Sequence, residues 1–204
     1  VTLTTEHALV RVKWEANATV SDVSDAEFKI KPVLALLTPN DNTASVVVGG
    51  SYLNTWSAPV GDAPSFKINF STNGGKGADG VACSSYGHAS CADDFPDTDC
   101  VANLAQCVTN KGGIIVSSVS SSGNYSWSPI PDLLTNEAVV RISKVGDSDS
   151  YDDSNQYFYI KGSITNVYVK TNVADAAPST PIDLPIGNDK YVTWDYTGTL
   201  GTVN

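Results

Sequence analysis

The sequence predicts an all-β protein made of tandem β-sandwich modules, one complete and two partial, with a disulfide-stapled loop inserted in the complete one. Three observations carry this expectation. Short β-branched and aromatic runs alternate with period two and are cut by Gly, Pro, Asn and Asp, while helical periodicity is nearly absent. Residues 1–31 and 131–161, compared without gaps, coincide at ten of 31 positions. All four cysteines fall between Cys83 and Cys107.

The alternation places strands at 7–14, 26–31, 32–37, 45–49, 51–56, 65–70, 113–119, 123–127, 137–144, 156–161, 164–170 and 190–195. In 138–143, Ala138, Val140 and Ile142 share one face and Val139, Arg141 and Ser143 the other. The stretch 8–13 repeats this, with Ala8, Val10 and Val12 inward and Leu9, Arg11 and Lys13 outward. After the alternating strand 65–70, Ser71 to Gly75 is a turn signal whose paired glycines permit positive φ. Pro129 and Pro131 hold the chain beyond Trp127 extended and out of a central ladder. Many short strands with regular turn signals suggest a sandwich, with Trp56 and Trp127 as core anchors.

The repeat sets the boundaries. Its identities are Leu3/Leu133, Thr5/Thr135, Ala8/Ala138, Val10/Val140, Arg11/Arg141, Asp22/Asp152, Ser24/Ser154, Phe28/Phe158, Ile30/Ile160 and Lys31/Lys161. After a gap of eight residues, Gly49, Thr55 and Trp56 match Gly187, Thr193 and Trp194. Self-similarity at a fixed period is the signature of repeated modules. Residues 1–31 then read as closing strands of one module, 32–161 as a complete module, and 162–204 as opening strands of a third. A chain starting at Val1 and holding no methionine is expected to be a matured product or part of something longer.

Of 204 residues, 41% are hydrophobic, enough for a real core, and 17% are charged. The formal net charge of −10 argues against nucleic acid and anionic membrane surfaces as partners, since both demand basic patches. No apolar run approaches the roughly 18–20 residues of a membrane helix. The spacing of Cys83, Cys91, Cys100 and Cys107 lacks the close CxxC pairs of zinc ribbons. Two disulfides are expected, their pairing open among three arrangements, and they imply an extracellular or cell-surface location. A Cys/His metal site using His88 is the lesser reading.

The landmarks of 32–161 come in a recognisable order: Asn54-Thr55-Trp56, the run Phe66 to Gly75, Ser122 to Asp132, Ala138 to Ser143, and Asp152 to Ile160. This series resembles the Ig-like/fibronectin-type repeats of microbial surface proteins, including the Ser/Thr-rich wall-protein family related to yeast Kre/Knh proteins. The resemblance covers 32–161 and both flanking pieces. It implies Ig-like, seven-stranded sandwiches serving as a stalk, filament or wall component, with no catalytic residues. The insertion 76–112, where the family has a short hairpin, is the departure.

Candidate sites are few. The loop 147–155 concentrates Asp147, Asp149, Asp152 and Asp153, and alternate acidic positions supply oxygens to calcium. It lacks the glycine and terminal glutamate of an EF-hand, so a solvated inter-strand loop is the preferred reading, as it is for Asp93, Asp94, Asp97 and Asp99. No other cofactor is expected. His7 is matched by Glu137 in the repeat, His88 has no nucleophile motif beside it, and no G-x-S-x-G, HExxH or phosphate loop occurs, so no enzyme is expected. Tyr157 and Tyr159, pointing outward beside Phe158, are interface candidates. Sequons begin at Asn17, Asn69 and Asn124, the second within a strand.

The expected function is structural: an extracellular filament, stalk or surface protein whose partners are neighbouring copies or modules of its own kind. Separate copies would join by strand addition, 162–204 of one meeting 1–31 of another. Those two pieces hold 74 residues against about 130 in a full module, which favours a longer chain. The alternative is an adhesion or carbohydrate-binding module acting through the cysteine loop, with Tyr52, Tyr86 and Tyr151 as glycan contacts.

Overall fold

The computed structural model describes residues 5–31, 33–58, 65–75, 99–100, 102–120, 123–172, 174–177, 183, 186–187 and 189–202. The alternating segments of 33–161 form two sheets. Strands β5 (Ala35–Thr38), β7 (Tyr52–Ser57) and β10 (Asn124–Trp127) make a three-stranded antiparallel sheet ordered β10-β7-β5. The second runs β6 (Ser45–Val47), β13 (Phe158–Lys161), β11 (Thr135–Lys144), β8 (Phe66–Ser71) and β9 (Gly112–Val119), and β12 (Asp147–Asp153) also pairs with β11. The β6–β13 contact is parallel and the others are antiparallel. Strand β11 is long enough for three partners: Thr135 and Ala138 meet β13, while its second half lies between β8 and β12.

One core joins the sheets. Leu36, Trp56 and Trp127 face Val46, Phe66, Ile68, Phe70, Ala138, Val140, Ile142, Phe158 and Ile160. Phe70 and Trp127 meet at a 42° tilt with ring centroids 4.8 Å apart, and Trp56 meets Phe66 edge-on at 6.0 Å, each pair bridging the two sheets. Burial of each such side chain contributes about 1.5–3 kcal/mol. The fold is therefore all-β, and its sequence-predicted anchors are core residues.

The other face of β11 is covered as well, which alternation alone does not reveal. Arg141 is buried beneath the Tyr151 ring, 4.1 Å from its centroid, and donates to both Asp153 oxygens at 2.7 and 2.8 Å. Gly112 opens β9 where a Cβ would lie 2.2 Å from the Phe70 carbonyl oxygen, so no larger residue fits that crossing.

The end pieces are separate small sheets. Strands β1 (Thr5–Ala8) and β4 (Phe28–Ile30) pair, β2 (Arg11–Lys13) pairs with β3 (Ser21–Val23), and β14 (Ser163–Lys170) pairs with β15 (Tyr191–Thr197). Their registers reproduce the sequence repeat. Thr5 faces Ile30 and Ala8 faces Phe28, as Thr135 faces Ile160 and Ala138 faces Phe158. Arg11 faces Val23 and Val12 faces Asp22, as Arg141 faces Asp153 and Ile142 faces Asp152. The Ser24 hydroxyl accepts from the Val10 amide, as Ser154 does from Val140. The second match behaves likewise: Thr165 faces Asp195 and Tyr168 faces Thr193 across a bulge, as Ala35 faces Ser57 and Thr38 faces Thr55.

Several expectations are revised. The strand expected at 7–14 is broken at Leu9 and Val10. Its counterpart β11 stays continuous because β8 pairs along 139–144, and β2 has no such neighbour among the described residues. Val10 and Val12, expected inward, are 52% and 71% exposed. The loop expected over 147–155 is largely strand β12, held by the backbone ladder to β11 rather than by apolar alternation. The described part of the insertion contains a short helix, α1 (Leu104–Asn110), started by the Asn103 side chain accepting the Gln106 amide.

Candidate interface between modules

Two polar clamps tie the end pieces to 33–161. At the first, Lys31 follows β4 and extends its ammonium to Asp149 at 2.9 Å and Asp147 at 3.5 Å, at the start of β12. The hydrogen bond that Lys31 donates to Asp149 raises the Lys31 pKa. Asp147 lies below the usual carboxylate range, first because the Ser150 hydroxyl donates to it. At the second clamp, Asp132 accepts from the Thr199 amide at 2.9 Å and the Thr199 hydroxyl at 2.5 Å. Between core and opening strands, Gly162 passes so close to β15 that a Cβ would sit 2.3 Å from the Thr197 carbonyl oxygen.

Beyond these clamps the end pieces are open. Phe28 is 43% exposed, whereas Phe158 at the equivalent position is fully buried; Trp194 is 40% exposed and Trp56 3%. The register is shared, so the difference lies in what covers each face. Val10 and Val12 on one piece, and Ile186 on the other, add to two unshielded apolar surfaces.

The four aspartates weighed as calcium ligands are drawn to three different partners. Asp147 and Asp149 hold Lys31, Asp152 accepts the Leu36 amide at 2.7 Å, and Asp153 holds Arg141. Burial raises the Asp152 pKa, the Leu36 amide opposing it. Among the described residues, no group of three or more His, Cys, Asp or Glu side chains is arranged around a common point for a metal ion. Cys100 and Cys107 form a disulfide. Cys83, Cys91, His88, Tyr86, Asp93, Asp94 and Asp97 lie outside the described residues. Tyr159 is 45% exposed, and Tyr157 is half-buried over Gly74. Tyr52 packs partly against the core, and Tyr151 covers Arg141. Asn69 is buried in β8, which removes it as a glycan acceptor in the folded chain, while Asn17 and Asn124 are exposed.

His7 bonds through Nδ1 to Glu27 at 2.6 Å on an exposed face. That hydrogen bond raises its pKa above the ordinary 6.5. A raised folded-state value means that the pair's contribution is fully present below the unfolded pKa and is lost as pH rises through the folded one. An NMR titration should place the His7 midpoint above 6.5, and Glu27→Gln should return it towards that value. A midpoint at or below 6.5 in the unaltered chain would mean the pair does not form in solution.

Sequence reasoning missed both clamps. Lys31 carried a signal, its identity with Lys161, whereas Asp132 has Thr2 at its repeat position and carried none. Comparison with family models, curated proteins and solved structures finds no match for this chain.

Proposed function

We propose that this chain is a non-catalytic structural protein of extracellular filaments, stalks or surface layers, built from repeated Ig-like modules whose partners are neighbouring modules of the same kind. The observation that carries this reading is the recurrence of the complete unit's strand registers at the two ends of the chain, its closing pairings in the first piece and its opening pairing in the last. Repetition of one unit yields length, and polar clamps such as Lys31 with Asp147 and Asp149 limit bending between units. The Cys100–Cys107 disulfide supports an oxidising compartment outside the cytosol. Electron microscopy of native material should reveal fibres or a regular array with a repeat near one module; dispersed single particles would remove the proposal.

A second reading, adhesion or ligand binding through the cysteine-bearing insertion, draws on a cavity of about 270 Å³ beside the disulfide, lined by Cys100, Leu104, Ile114, Trp127 and two prolines. Trp127 is 4% exposed there, so it offers no open ring face for a sugar. Binding of a glycan panel to the intact chain would favour this reading over the structural one.

A further inference from the structure

Resting on the structural reading above, we propose that the closing strands β1 to β4 of one copy dock onto the opening strands β14 and β15 of a second copy, in the register that 33–161 uses internally. The complete unit is the template, because it contains both halves already joined. There β13 lies parallel to β6, with Tyr159 opposite Ser45, and the Val48 amide donates to the Lys161 carbonyl. The sequence offsets convert these contacts into intermolecular ones. Lys29, which pairs with Glu6 at 2.7 Å in its own copy, comes opposite Asp183, and the Ile186 amide donates to the Lys31 carbonyl. Similarly, Asp152 accepts the Leu36 amide across the unit, and its counterpart Asp22 would accept the Asn166 amide.

The apolar surfaces agree with this placement. Phe28, Val10 and Val12 on the closing strands, and Trp194 and Ile186 on the opening strands, are exposed between 40% and 103%. Of their counterparts, Phe158, Val140, Ile142 and Trp56 are buried to 3% or less, and Val48 packs against the same core. The contact is heterologous, with different surfaces on the two partners, so each added copy exposes a fresh end and assembly is open-ended. Counterparts of 67–130 are missing from the joint, which leaves the outer edge of β2 uncovered and makes the joint weaker than the unit's own core. Each copy carries a formal charge of −10, so salt that screens the repulsion should strengthen association.

The test uses full-length chains. Val12→Asp blocks the closing surface and Ile186→Glu the opening one; both side chains are more than two-thirds exposed, so neither change disturbs a copy's own fold. Light scattering with size separation should find concentration-dependent oligomers of the unaltered chain in steps of 21.4 kDa. Each variant alone should be monomeric or at least tenfold weaker in self-association. An equimolar mixture of the two should form dimers and stop there, since each dimer ends in two blocked surfaces. A monomeric unaltered chain, or a mixture that fails to dimerise, overturns the joint, as does self-association of either variant at the unaltered strength, which indicates nonspecific aggregation. Fibres of native material together with a monomeric isolated chain would sink this joint and leave the modular reading standing.

Discussion

Phe158→Ala is expected to lower the unfolding free energy by about 3–5 kcal/mol, the usual cost of emptying an aromatic site in a packed core. Phe28→Ala in the same chain should cost less than about 1 kcal/mol, as substitutions away from packed features do. The two phenylalanines occupy the same position of the repeat and face alanines in the same register, Ala138 and Ala8. They differ in cover, since Phe158 is fully buried between two sheets and Phe28 is 43% exposed. Denaturant unfolding followed by the fluorescence of the buried Trp56 and Trp127 reads the contrast. The measurement belongs at low protein concentration, where copies do not shield one another. Equal costs would mean that the closing strands are as well covered as the core, and the account of open ends would fall.

Asp153→Ala should be the more damaging of the polar changes, at about 3–5 kcal/mol, because it strands a buried guanidinium without its counter-charge. Arg141 and Asp153 have side chains only 8% and 18% exposed, and their two parallel hydrogen bonds leave little room for water to substitute. The same argument predicts that Arg141→Met combined with Asp153→Val recovers most of the loss, since an apolar pair of similar volume has no charge to desolvate. The protein carries part of this replacement already: on the closing strands the pair is Arg11 and Val23, with Arg11 exposed to solvent. Urea denaturation of the single and double variants tests it. A single-variant cost under about 1 kcal/mol would place the pair among weak surface ion pairs.

Much of the fold was legible because strands with one buried face write period two into their side chains. Phe66, Ile68 and Phe70, or Phe158 and Ile160, announce themselves. Strands β3 and β12 did not, since Ser21-Asp22-Val23 and the aspartate-rich 147–153 have no apolar stripe and are held by backbone ladders. Helix α1 was hidden for a related reason: its seven residues are set by an Asn103 cap and by Cys107 buried in a disulfide rather than by a periodic apolar face. The acidic cluster reads from its composition as a solvated loop, and backbone pairing to β11 makes most of it a strand. Asp147 and Asp149 share a face of the strand and hold Lys31, while the adjacent Asp152 and Asp153 project to opposite faces, where the Leu36 amide of β5 and Arg141 of β11 reach them.

The sequence alone determined most of the strand content and the separations of 130 and 138 residues between equivalent positions, and through them the registers that the end pieces share with the complete unit. Only the tertiary structure decided which copy of a repeated residue is buried and which ion pairs close. Local pattern dictates the direction a side chain takes from its strand. Burial and charge pairing depend on what arrives from far along the chain, and residues 1–31 and 131–161 meet different neighbours.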